Sequence, residues 1–289
     1  MKRIFTTLLF AAVLPASLAS QTGAELLRFV KQIEGKSPDG RRQFIKDQLR
    51  RWKVRYQTMS FQAHLPFRDT LVKGENIIVP MGKGKKRIIV GAHSDAVPGS
   101  PGANDNGGGV AVVLGLVKHF AEYAWNHKID FCFFDQEEAG LIGSKEFVKR
   151  YKDKESHLAM INLDVEGMGD EVFVGPVGGG DDDVLMPIVR RAAKRSGYTL
   201  TERSAFPPSD YVSFGNAKLE NISISVVPKG DADKLVALFS GQKVDATTYP
   251  QVMKRMHSPH DSSTYMTPKS LGISLEFTKS LLIMLNETR

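Results

Sequence analysis

With one cysteine, Cys132, in 289 residues, the chain can form no internal disulfide, which excludes a small disulfide-stapled scaffold. No apolar run reaches the roughly 18–20 residues that a membrane-spanning helix needs. An internal repeat and a low-complexity linker are also lacking, so a solenoid is excluded and one domain is the simplest organisation. There is no Gly-x-Ser-x-Gly elbow to support a serine hydrolase. The basic run of Lys83, Lys85, Lys86 and Arg87 has no interleaved aromatics. It reads as a solvated turn before a strand, and no nucleic-acid partner is expected. What is present is an ordinary globular composition, 42% hydrophobic and 25% charged, which argues against a disordered chain. A chain of this length can bury about 75% of its unfolded surface and needs no staples to form a core.

The first residues form a separate pattern. Lys2 and Arg3 precede the apolar run 4–14, followed by Pro15 and the small residues Ser17 and Ala19. This reads as a secretory signal peptide over 1–19, with a single domain over 20–289. The expected protein is therefore exported, periplasmic or secreted, monomeric, and without stable membrane association once the leader is removed. Loss of Lys2 and Arg3 takes two of the 39 basic residues, against 32 acidic ones, so the formal charge falls from +7 to +5. Cys132 lies in the strand-like run 129–134 and is expected to be a small buried hydrophobe rather than a nucleophile.

Periodicity predicts two helices within 24–49, interrupted at Ser37-Pro38-Asp39-Gly40. Extended pieces follow at 56–62 and 76–79. Short apolar strands at 88–92, 129–134 and 158–163 then alternate with helices at 108–124 and 144–151. A helix over 184–196, a strand over 221–227 and a closing helix over 271–285 continue the scheme. Such strands require a sheet covered on both faces. The fold class is therefore α/β, with a mixed, mainly parallel central sheet and helices on both sides. The acidic run 181–183 lacks the spacing of a calcium loop and reads as a lead into the helix at 184.

The residues that follow the apolar strands are chemically distinctive: His93 and Asp95 after the first, Glu137 and Glu138 after the second, Asp164 after the third. Ligands of open α/β sheets bind at the carboxyl ends of strands, so these side chains can share one crevice. The Gly-rich loop 98–109 adds Asp105, and a Pro-marked loop adds His257 and His260. Two imidazoles with three carboxylates suit two Zn²⁺ ions sharing a bridging carboxylate. On spacing alone, an acidic cleft with scattered helix caps remains the other reading.

Five blocks carry a resemblance: Gly91-Ala92-His93-Ser94-Asp95, Gly102-Ala103-Asn104-Asp105-Asn106-Gly107-Gly108-Gly109, Glu137-Glu138-Ala139-Gly140, Asn162-Leu163-Asp164, and His257-Ser258-Pro259-His260-Asp261. In this order, they resemble the zinc-dependent aminopeptidases of the M28 type over roughly 88–262. The resemblance implies a zinc-aminopeptidase-like α/β/α sandwich, two Zn²⁺ ions and peptide or protein N-termini as substrates. It also implies that Asp105 bridges the metals, with His93 and Asp164 on one and Glu138 and His257 on the other. Glu137 matches the general base that takes the proton of a zinc-bound water, and Asp95 a carboxylate that orients the His93 imidazole. His260 falls at a loop position. Ser209-Asp210-Tyr211 resembles a Ser-Asp-His segment near the substrate, which makes Asp210 and Tyr211 candidate substrate contacts. Met256 stands where some relatives place a Tyr, leaving Tyr211, Tyr249 and Tyr265 as alternative oxyanion donors. The leading expectation is a metallo-aminopeptidase. A glutaminyl cyclase, which performs acyl transfer on N-terminal Gln, and a non-catalytic binding domain on the same fold are the alternatives.

Overall fold

A computed structural model describes residues 16–65, 69–178 and 184–288. The expected leader lies outside the described residues as far as residue 15, and residues 16–19 open the first helix; the acidic run 181–183 also lies outside. In chain order the elements are α1 Ala16–Ile33, α2 Pro38–Arg51, β1 Gln57–His64, β2 Leu71–Met81, β3 Arg87–His93, α3 Gly109–Phe120, β4 Lys128–Phe134, α4 Ile142–Arg150 and β5 His157–Leu163. There follow β6 Glu171–Gly175, α5 Met186–Ser196, β7 Leu200–Glu202, α6 Tyr211–Asn216, β8 Asn221–Val227, α7 Asp231–Phe239 and α8 Pro268–Asn286.

The strands form one sheet in the order β1-β2-β4-β3-β5-β8-β6-β7. Its centre, β4-β3-β5-β8, is parallel; β2 joins β4 and β6 joins β8 antiparallel. Alternation along the parallel strands feeds two cores. Ile88, Val90 and Ala92 of β3, with Ile129, Phe131 and Phe133 of β4, face a core shared with α1, α2, α3, α5 and α8. Ile89, Cys132, Phe134 and Met160 face the other way, against Phe147 of α4, Phe214 of α6 and Leu235 of α7. Helices thus cover both faces, as strands apolar on both sides require. Cys132 is fully buried there, and burial pushes its thiol well above the ordinary range, which makes it a packing residue.

The two expected helices are joined by a short turn, residues 34–37, and Ser37-Pro38-Asp39-Gly40 is the capped start of α2. The Ser37 hydroxyl accepts from the N–H of Gly40, and Pro38 occupies the first turn, where its missing N–H costs nothing. The closing helix begins earlier than its apolar spacing indicates because Thr267 caps it, accepting from the N–H of Ser270. The short strands β6 and β7 were not expected; β6 is legible only through its partner β8. No helix among the described residues is long and apolar enough to cross a membrane.

Candidate metal centre

The site is assembled at the carboxyl ends of β3, β4 and β5. His93 is the last residue of β3, Asp164 follows the last residue of β5, and Glu137 and Glu138 lie in the turn after β4. Asp105 comes from the 103–108 turn between β3 and α3, where Asp105 and Asn106 leave helical geometry. The Asn106 side chain secures that turn, donating to the Leu163 carbonyl at 2.9 Å and accepting from the N–H of Gly109. His257 arrives from the loop before α8.

Asp105 is the hub. Its Oδ1 lies 3.1 Å from His93 Nε2, and its Oδ2 lies 3.0 Å from His257 Nε2. Asp164 Oδ1 is 3.5 Å from His93 Nε2, and Glu138 Oε2 is 3.3 Å from His257 Nε2. Three donor triads result, His93–Asp105–Asp164, Asp105–Glu138–His257 and His93–Glu137–Glu138, each with donor atoms within 4.8 Å of one another; the first two share Asp105. Buried Glu138 Oε1 and Asp164 Oδ1 make no hydrogen bond. Imidazole and carboxylate are the donors zinc accepts, so the residues fit a metal on either side of Asp105.

The electrostatics favour positive charge at the centre. Burial pushes Asp105 upward, but hydrogen bonds from His257 and His93 outweigh it and hold the carboxyl well below its usual range. The same bonds, to Asp105 and then Glu138, push His257 up to about 10. Burial raises Glu137 well above the carboxylate range and raises Glu138 as well. A cation among these groups would reverse that rise.

Several site residues sit at positive φ despite carrying side chains. His257 has φ 57°, and Val165, beside Asp164, has φ 63°. Gln136, preceding Glu137, has φ 61°. Such conformations cost of order 1 kcal/mol or more and persist where surrounding structure over-determines them, commonly at functional sites.

The structure brings together His93, Asp105, Glu137, Glu138, Asp164 and His257, all lining one cleft of about 220 Å³. Asp95 stands beside the His93 imidazole, as expected, and has further partners. Its Oδ1 is 3.5 Å from His93 Nδ1, and its carboxylate also accepts from the N–H groups of Glu137 and Glu138 at 3.1 Å each. It therefore fixes the turn that presents the two glutamates.

Asp210 and Tyr211 do not line the cleft, so their expected substrate contact is corrected. Asp210 is fully buried behind the site, where burial lifts its carboxyl to about 7. The Tyr211 hydroxyl donates to the Phe206 carbonyl at 2.9 Å. No tyrosine lines the cleft among the described residues, and Tyr265 is stacked under the Arg255 guanidinium at 4.0 Å. His260 is exposed in its loop.

Two features were missed from the sequence. The cleft's other wall is apolar, formed by Val165, Phe206, Val227, Leu235, Phe239 and Met256 among others, drawn from distant segments. Asp261, noted only as part of a motif, accepts from the N–H groups of Asn104 at 2.9 Å and Asp105 at 3.1 Å and so sets the hub's backbone. Its place four residues after His257 was the available signal.

This sheet, with imidazoles and carboxylates gathered on its carboxyl edge, is the fold of the zinc aminopeptidases. The chain belongs to peptidase family M28, whose family model matches residues 76–280. Among curated relatives, aminopeptidase YwaD of Bacillus subtilis (strain 168) is 31% identical over 140 residues, 46% of this chain and 30% of the relative. The match thus spans under a third of that relative's length. A solved zinc aminopeptidase from Bacillus subtilis, BSAP, superposes with TM-score 0.69 at 16% identity, covering 92% of this chain and 93% of the other. The glutaminyl cyclase of Porphyromonas gingivalis gives 0.71 at 18% identity, covering 94% and 99%. At such identities, these likenesses speak for the fold alone.

Proposed function

We propose that the chain is an exported metallo-aminopeptidase that holds two zinc ions and removes the first residue of peptides with a free α-amine. The observation that carries this reading is the shared carboxylate: the two oxygens of Asp105 face two different imidazoles, each completed by its own second carboxylate. His93, Asp105 and Asp164 would hold one ion, and Asp105, Glu138 and His257 the other. When bound, zinc would polarise the scissile carbonyl and lower the pKa of water.

The chain's own residues do the rest. Glu137 reaches the cleft from the turn fixed by Asp95 and takes a proton from the attacking water. It then delivers that proton to the leaving amine nitrogen as the C–N bond breaks. Burial raises Glu137, which makes it better able to hold the proton between the two transfers. The carboxylates face the substrate's α-ammonium, and the apolar wall takes its first side chain.

Export is supported by the leader-like pattern of Lys2, Arg3 and the apolar run 4–14. The glutaminyl cyclase alternative needs one zinc ion, whereas two triads sharing Asp105 favour two. A non-catalytic domain would have no use for Glu137 beside them.

The test is metal analysis combined with hydrolysis of aminoacyl anilides before and after chelation. Near two zinc equivalents, with activity lost on chelation and restored by zinc, is the expected result. Full activity in metal-free protein would overturn it. The apolar wall adds a prediction about the first residue: kcat/KM for Leu or Met anilides should exceed that for Asp or Lys anilides by about tenfold or more. Equal rates across the panel would remove the wall from substrate recognition.

A further inference from the structure

Arg41, in α2, precedes the segment matched by the family model and is fully buried. Its three guanidinium nitrogens reach three backbone carbonyls at the two ends of one loop, 94–102, which runs from His93 to the turn of Asp105. Nε donates to the Ser94 carbonyl at 2.6 Å, one residue past His93; Nη1 to that of Pro101 at 3.3 Å; and Nη2 to that of Gly102 at 3.1 Å. The Gly102 carbonyl also accepts from the N–H of Gly107 at 3.0 Å, closing the turn that carries Asp105. Gly102 itself, at φ 63°, has no room for a side chain: a Cβ there would come within 2.4 Å of Ala96 Cβ and 3.0 Å of Arg41 Nη1.

Neighbouring residues of the same helical hairpin grip the remaining loops. Gly35 N–H donates to the Pro101 carbonyl at 2.8 Å. Glu34 accepts from the N–H and hydroxyl of Ser263 at 2.8 and 2.7 Å, in the loop that bears His257 and Asp261. Arg42 pairs with buried Asp135, whose carboxylate also accepts from the N–H of Gln136, just before Glu137. Burial pulls the Arg41 guanidinium down, and Asp95, Asp105, Asp261 and Glu138 counter it; an arginine stays charged under these conditions.

We infer that Arg41 is a positioning residue of the metal centre: its fork ties together the two ends of the 94–102 loop, one joined to His93 and the other to the turn of Asp105, at the one spacing that lets both side chains donate to the same ion. The inference rests on the metal reading of the donor set above. A lysine at this position keeps the charge but presents a single point of donation, which cannot span carbonyls at both ends of the loop.

The experiment compares zinc affinity of wild-type protein, Arg41→Lys and Arg41→Gln by competition with a chromophoric chelator. It also records visible absorption of the Co²⁺-loaded forms and thermal midpoints of the metal-free forms. Arg50→Gln, on the exposed side of α2, is the control. Outer partners that orient ligands typically control affinity by 10–100-fold. At least tenfold weaker zinc binding and an altered Co²⁺ spectrum are expected in Arg41→Lys, which folds without metal but with a lowered midpoint because buried carbonyls lose their donors, and, at saturating zinc, KM within about twofold. A folded Arg41→Lys with wild-type zinc affinity and spectrum would overturn the inference, and Arg41→Gln is read the same way. Failure of both variants to fold, even with zinc present, would assign Arg41 to the core alone and also overturn it. If wild-type protein takes up no zinc, the metal reading fails and this inference with it. Zinc uptake by wild type with unchanged variants refutes the positioning role only.

Discussion

Glu137→Gln is expected to keep its zinc and lose about 10²–10⁴-fold in kcat, because the amide preserves shape but can neither accept the water's proton nor return it to the leaving amine. Several structural details make this a clean substitution. Glu137 is outside the two triads that share Asp105, and its backbone N–H, not its side chain, is what Asp95 holds. The turn should therefore survive the change, as should the presentation of Glu138. Metal content measured alongside turnover separates the two roles. Loss of turnover with full zinc supports the base, whereas near-normal turnover in the zinc-loaded variant would remove Glu137 from proton transfer.

Asp105→Ala is expected to act at once on the two donor triads that share it. The substitution removes the nearest carboxylate of His93 and of His257, leaving His93, buried at 1% exposure, with Asp164 at 3.5 Å and His257 with Glu138 at 3.3 Å. Losing one partner of a buried charge pair costs about 3–5 kcal/mol, so the metal-free variant should melt earlier than wild type. The zinc response should vanish as well. A ligand present at a thousand times its Kd stabilises the folded state by about 4 kcal/mol, a shift expected in wild type and absent in Asp105→Ala. Hydrolysis should fall by about 10³-fold or more, since Glu137 then has no activated water to deprotonate. Melting curves with and without zinc, together with zinc content, provide the check. Retention of two zinc equivalents by Asp105→Ala would show that no carboxylate bridge exists.

What could be read from the sequence follows the range of the forces involved. His93, Glu137, Glu138 and Asp164 announce themselves because apolar strands end abruptly in chemically active residues, and parallel strands align those ends in space. Asp105 and His257 stood out only as polar residues of Gly-rich and Pro-marked loops; the bridging role of one and the choice of the other over His260 needed the resemblance, since their loops carry no periodicity. The apolar wall was illegible for a different reason: Phe206, Leu235, Phe239 and Met256 come from separate segments, and nothing local distinguishes them from core residues. Asp210 shows the opposite error. Its position beside a motif suggested contact with substrate, but the start of α6 turns it inward to full burial. Arg41 could not have been found at all, because its partners are backbone carbonyls, which leave no mark in residue identity.

The measurement that bears most directly on the central claim is a mass-spectrometric time course of zinc-loaded protein with three peptides: a free Leu-initiated peptide, its N-acetylated form, and a Gln-initiated peptide. Loss of the intact first residue from the free peptide, with the acetylated form untouched and water added to each product pair, is the predicted result. Cleavage of the acetylated peptide, or conversion of the Gln-initiated peptide by loss of ammonia alone with the Leu-initiated peptide left whole, would contradict it.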